Sequence, residues 1–126
     1  MASHNELGQW GEEQAVNYLE GKGYRILERD WRSGHRDIDI IARTAAEIVF
    51  VEVKTRRTSR FGSPCEAVDY RKRRHLQAAI DHYIRSRQID MPFRFDIISI
   101  TVADPAHPAI EHFEDVRLLG YGGFCR

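Results

Sequence analysis

The chain has 126 residues, 42% hydrophobic and 30% charged, with nineteen Lys and Arg balancing nineteen Asp and Glu. That length suits one domain over residues 1–126, with a core over about 6–117 and a flexible tail over 118–126, and the composition excludes a disordered chain. No apolar run approaches the ~20 residues that span a bilayer and the polar start lacks a signal-peptide apolar region, so a cytoplasmic protein without membrane contact is expected.

Residues 7–22 predict a helix, because Leu7, Trp10, Ala15, Tyr18 and Leu19 recur near helical spacing and Gly23 supplies a stop. Residues 24–31, 37–43 and 48–55 follow as strands, the last two joined by a short connection over 44–47 that suits a hairpin. These three should form an antiparallel meander. Ser63, Pro64 and Glu66 then make a helix start with a capping box, and the helix runs to about Arg87 with a break near Asp69. Its stripe of Leu76, Ala79, Ile80, Tyr83 and Ile84 should pack on the sheet. Residues 93–102 predict a strand parallel to its neighbour, reached by a right-handed crossover, and residues 110–113 a short edge strand. The fold class is α/β, with an αβββαβ order and a mixed central sheet flanked by helices.

Cys65 and Cys125 lie 60 positions apart without a Cys-x-x-Cys pair, and the six histidines include no HxH or HExxH spacing. Carboxylates should therefore hold any metal. Along the third strand, Val49, Val51 and Val53 alternate with Ile48, Phe50, Glu52 and Lys54, so an acid and a cation share one face. Along the second, Asp37, Asp39 and Ile41 share one face and Ile38, Ile40 and Ala42 the other. Pairing of the strands brings Asp39 beside Glu52. Two carboxylates so placed repel unless a cation or proton relieves them, and hard oxygen ligands suit Mg²⁺ or Mn²⁺. Lys54 then faces the phosphate or the attacking water. Taken alone, Glu-x-Lys on a strand is usually an exposed cross-strand pair.

Glu12 shares the stripe of Ala15, Val16 and Leu19. Either it lies at the stripe's exposed edge, the commoner case, or it meets a cation, a water-bridged metal or the rim of the site. Residues 54–74 carry eight cations against two anions, leaving eleven against seventeen elsewhere. This is the footprint of a local polyanion contact or a solvated charged face. Lys72 lines up with Leu76, Ala79 and Tyr83 and leans toward the sheet as a phosphate contact, or snorkels from the helix edge. Arg56, Arg57 and Arg60 flank the site and can track a nucleic-acid backbone. Asp96 is placed to be structural, pairing with Arg94 or with another cation.

Gly8-x-x-Gly11-Glu12, Asp37 to Ala42, Phe50 to Arg56, Gly62-x-Pro64, Lys72 and Arg94-Phe95-Asp96 together resemble the PD-(D/E)xK nuclease superfamily. More narrowly they resemble the YraN-like endonuclease-like family, similar to archaeal Holliday junction resolvases. The resemblance covers roughly residues 8–100. Ile38 replaces the proline that names the superfamily, and Asp37 stands where YraN-like sequences usually have Glu. The resemblance implies a restriction-endonuclease-like core and phosphodiester hydrolysis. It also implies that Asp39, Glu52 and the Val53 carbonyl bind the metal, that Lys54 serves catalysis and that Glu12 assists. The expected activity is a Mg²⁺- or Mn²⁺-dependent endonuclease acting on DNA, branched DNA included, for which a homodimer with two sites is natural. A nucleic-acid-binding module that does not cleave, and a protein-interaction domain with a basic segment, are the competing readings.

Overall fold

The computed structural model describes residues 4–57, 70–104 and 106–118. Among them the chain runs α1 (His4–Gly21), β1 (Arg25–Ser33), β2 (Arg36–Arg43), β3 (Ile48–Arg56), α2 (Tyr70–Ser86), β4 (Phe93–Thr101) and β5 (Ala109–Phe113). The strands form one sheet in the order β1-β2-β3-β4-β5. The first three make the expected antiparallel meander, β3 and β4 pair in parallel, and β5 closes the edge antiparallel to β4.

β3 is central, and its first five residues, Ile48 to Glu52, are all buried. A strand covered on both faces needs a continuous apolar run, which Ile48-Val49-Phe50-Val51 supplies. On one face α2 packs Leu76, Ala79, Ile80 and Tyr83 against Ile38, Ile41, Phe50, Phe95 and Ile97. On the other α1 packs Ala15, Val16 and Leu19 against Ile40, Ala42, Val49, Val51, Ile98 and Ile100. The predicted α2 stripe is thus the buried one, and truncating Ile80 to Ala would cost about 2–5 kcal/mol. The core reaches one residue further than expected, since Leu118 is buried against the α2 side.

Local chemistry sets the ends of these elements. Gly23, at φ 89°, stops α1, with the Tyr24 N–H donating to Leu19 O at 3.0 Å. Thr44 closes the β2–β3 hairpin, its Oγ1 accepting the N–H of Ala46 at 3.2 Å and of Glu47 at 3.1 Å. That hairpin fixes the register of the two strands that carry the acids.

One expectation is corrected. Strict alternation along β2 groups Ile38 with Ile40, but Ile38 packs on the α2 side with Ile41, and Ile40 packs on the α1 side with Ala42. Alternation slips at Asp39, between them. Facing it across β1, between the pairs Arg29↔Ile40 and Trp31↔Ile38, Asp30 takes a left-handed φ of 50°. Such a defect re-aims side chains without ending a strand. The expected cap at Ser63, Pro64 and Glu66, the break near Asp69, Arg60, both cysteines and the tail beyond Leu118 lie outside the described residues. No helix among the described residues is long and apolar enough to cross a membrane.

Candidate active site

The site opens where β2 stops pairing with β3. Their ladder runs from Arg43↔Ile48 to Ile40↔Val51. Beyond it the Val53 N–H, next in the row of Val49 and Val51, donates to Asp39 Oδ2 at 2.8 Å. A strand residue presents its N–H and C=O to the same edge, so the Val53 carbonyl opens into the same gap.

Gly11 lets α1 close down on this gap. A Cβ at Gly11 would lie 1.8 Å from Thr55 Oγ1 and 2.9 Å from Thr55 Cβ, so any larger residue pushes the helix off β3. The neighbouring Glu12 is thereby carried into a cleft of about 290 Å³ that Gly8, Asp39, Glu52, Val53, Lys54, Thr55 and Lys72 also line. The cleft unites Glu12, Asp39, Glu52, Val53, Lys54 and Lys72, all of them anticipated from sequence. Arg56 and Arg57 follow at the end of β3 and do not line it.

Charge in the cleft is unevenly met. Burial, then a hydrogen bond and like charge from Glu52, push the Asp39 carboxyl well above the usual range, against the pull of the Val53 N–H. Burial would raise Glu52 too, but the Asp39 hydrogen bond and the Lys72 and Lys54 ammoniums hold it below its usual value. The two acids titrate as a coupled pair in which the surroundings favour the protonated form of Asp39 and the ionised form of Glu52. Lys72 Nζ stands 2.8 Å from Glu52 Oε2, an ion pair at an otherwise buried oxygen. Burial lowers Lys54, with Glu52 opposing and the Lys72 charge reinforcing, while Glu52 more than offsets the burial of Lys72 and raises it.

Glu12 is half-buried, and burial together with Asp30 pushes it up to about 7. One carboxylate oxygen each from Glu12, Asp30 and Asp39 lie within 4.8 Å of one another. Asp30 is not anticipated from sequence. The available signal is weak: an aspartate inside a strand, where that residue type is depleted. Oxygen donors of this kind could hold a hard divalent cation.

Asp96 is not part of the cleft. It is fully buried beside Arg94, whose Nε donates to Oδ1 at 3.0 Å, and His112, whose Nε2 lies 2.7 Å from Oδ2. Of the two placements open to it, pairing with Arg94 is the one observed.

The chain is 45% identical to a UPF0102 protein of Phocaeicola vulgatus over 115 residues, 91% of this chain and 94% of that one. It is 47% identical to the UPF0102 proteins of Porphyromonas gingivalis, over 91% of this chain and 86% of theirs, and 47% identical to that of Bacteroides thetaiotaomicron, over 91% and 94%. The family model described as "Uncharacterised protein family UPF0102" matches residues 11–100, from the glycine that admits α1 to the strand that carries Asp96, and the chain belongs to that family.

Proposed function

We propose that this protein is a divalent-metal-dependent endonuclease of the PD-(D/E)xK type that hydrolyses phosphodiester bonds in DNA, branched or otherwise structured DNA included. The observation that carries the reading is the meeting of Asp39, Glu52, the Val53 edge and Lys54 in one cleft, with Glu12 brought in by the α1 approach at Gly11.

The residues fit the metal the reading needs. Asp39 is crowded by like charge from Glu52 and Glu12, and one oxygen each from Glu12, Asp30 and Asp39 lie within 4.8 Å of one another, a set of hard oxygen donors whose repulsion a cation would relieve. Asp39, Glu52 and the Val53 carbonyl would hold Mg²⁺ or Mn²⁺, which when bound supplies Lewis-acid stabilisation of charge on the phosphoryl group. Lys54 presents its ammonium to the scissile phosphate, where a fixed cation in a water-poor cleft stabilises the developing charge. Lys72 holds Glu52 in place through its ammonium and adds a second positive charge at the phosphate. Glu12, titrating near neutrality, orients water from the α1 side.

The test is cleavage of single-stranded, duplex, flap and four-way DNA, and of RNA, with Mg²⁺ or Mn²⁺. Wild type is expected to cut DNA, and Glu52→Ala and Lys54→Ala each to lose about 10²–10³-fold. Equal rates in all three proteins would remove the assignment. A wild type that cuts nothing, yet binds DNA with steep salt dependence, would replace it with the non-cleaving module.

A further inference from the structure

A second depression, about 440 Å³, lies between the β1–β2 hairpin and the outer face of α2, lined by Arg36, Tyr70, Arg71, Arg74, His75 and Ala78. Among the described residues no carboxylate lines it, and none of its three arginines joins an ion pair. Tyr70 is 67% exposed, more than any other large hydrophobic side chain described, and the Arg74 guanidinium lies 5.9 Å from its ring centroid.

Beyond that one cation–π contact, neither feature stabilises the free protein. Arginines gathered without acids repel, and an exposed ring forgoes the gain of burial. Their shared complement is a chain of negative charges carrying flat apolar faces. A duplex offers the charges but keeps its bases stacked inside, and an acidic polypeptide offers the charges alone. An unpaired strand of nucleic acid offers both, since a base of any sequence stacks on an aromatic ring flanked by cations.

The groove is preformed. Ser33 Oγ bonds His82 Nδ1, and Trp31 meets the His82 and Tyr83 rings edge-on at 5.5 and 5.2 Å, so the hairpin wall is pinned to the helix wall. Two of its residues lie close along the chain to residues of the candidate active site. Arg71 neighbours Lys72 in the chain, and Arg36 precedes Asp39 by three residues, about 10 Å of strand.

We propose that this groove binds unpaired nucleotides of a DNA strand continuing from the cleft, with Tyr70 stacking on a base and Arg36, Arg71 and Arg74 taking the flanking phosphates. The proposal rests on the nucleic-acid reading of the cleft for its ligand class, but not on cleavage. It is tested on the full chain in EDTA, by fluorescence anisotropy with a labelled oligothymidylate, a blunt duplex of equal length and polyglutamate as competitor. Tyr70→Ala is expected to weaken single-strand binding by about tenfold and leave the duplex nearly unchanged, with Tyr70→Trp restoring the loss. Replacing the three arginines by alanine should lower the slope of log affinity against log salt by about 2. The exposed position of Tyr70 predicts an unchanged melting temperature. Single-strand binding as tight in Tyr70→Ala as in wild type, equal weakening of both DNA forms, or polyglutamate binding as strong as the oligonucleotide would overturn the proposal. Tyr70-dependent binding with no cleavage of any substrate would support the groove and overturn the nuclease reading, whereas cleavage with single-strand binding indifferent to Tyr70 would do the reverse.

Discussion

Asp96 and Asp39 are aspartates on strands of one sheet, the first fully buried and the second partly, and their surroundings treat charge in opposite ways. Asp96 accepts from Arg94 Nε at 3.0 Å, from the Asp115 N–H at 3.0 Å and from His112 at 2.7 Å, and although burial opposes it these bonds hold the carboxyl below its usual value. Arg94 is met in turn by Glu47, by the Tyr24 hydroxyl and by Glu114 at 2.9 Å. Asp39 has one backbone donor and the acids Glu52, Glu12 and Asp30 for company, and burial with Glu52 raises its carboxyl well above the usual range. A polar cluster whose every member is met rigidifies the fold, whereas one left short of positive charge is stable only with a proton or a cation added. The first arrangement ties the end of α1 to β4 and β5; the second is where a ligand has something to contribute.

The same substitution at both sites breaks the comparison most directly. Asp96→Asn removes the buried carboxylate from a part-buried arginine that keeps Glu47 and Glu114, and should cost about 1–3 kcal/mol in unfolding free energy. Asp39→Asn is nearly isosteric with the protonated acid: the amide oxygen accepts the Val53 N–H and the amide nitrogen donates to Glu52. In EDTA its melting temperature should match or exceed wild type. Mn²⁺ should raise the melting temperature of wild type and Asp96→Asn but not of Asp39→Asn. Denaturant melts of the three proteins, with and without Mn²⁺, decide this, and a loss at Asp39→Asn as large as at Asp96→Asn would erase the distinction.

The distinction was only half legible in the sequence. Strand and helix positions followed from strong local patterns: the continuous apolar run of β3 and the Leu76, Ala79, Ile80, Tyr83 stripe. The acids at Asp39 and Glu52 were also placed together, but by alternation along β2, and the structure reaches that pairing differently. Alternation slips at Asp39, whose carboxylate turns sideways into the vacated ladder beside Val53. A register defect of this kind depends on the strand across from it, where Asp30 sits at positive φ, and short-range periodicity does not carry that information. Arg94, Glu47 and Glu114 meet from separate segments for the same reason, so only the two-residue Arg94–Asp96 spacing hinted at their network.

A smaller effect probes how the cleft is assembled. Gly11→Ala places a methyl against Thr55, on a strand that cannot retreat, so α1 must lift. The expected cost is about 1–3 kcal/mol, measured by denaturant unfolding, and Thr55→Ala should recover part of it by removing the nearest atom. Cleavage should fall further than stability, because the displaced helix carries Glu12 away from Asp39. The Asp96 cluster, which contacts α1 only near its end at Tyr18, is spared.

The pH dependence of stability separates Asp39 and Glu12 from Asp96 by sign, with Glu52, held below its usual value, on the side of Asp96. Asp39 and Glu12 have folded values above their unfolded ones of 3.8 and 4.5, so the fold favours their protonated forms. That contribution is fully present below the unfolded values and is lost as pH rises, for Glu12 through about 7. Asp96 is depressed below 3.8, so its contribution is present above that value and is lost as pH falls through the lower folded one. Metal-free protein should therefore lose melting temperature as pH rises from about 4.5 to 7, an interval in which the depressed acids Glu52 and Asp96 add little change. Asp39→Asn should flatten this decline while leaving the acid limb intact, and Asp96→Asn should do the opposite. Half-exposure of Glu12 keeps its share small, since solvent screens it. A wild-type melting temperature that climbs over that interval in EDTA would mean that the cleft acids are already neutralised by the protein itself, and the case for a cation between Asp39 and Glu52 would lose its electrostatic basis.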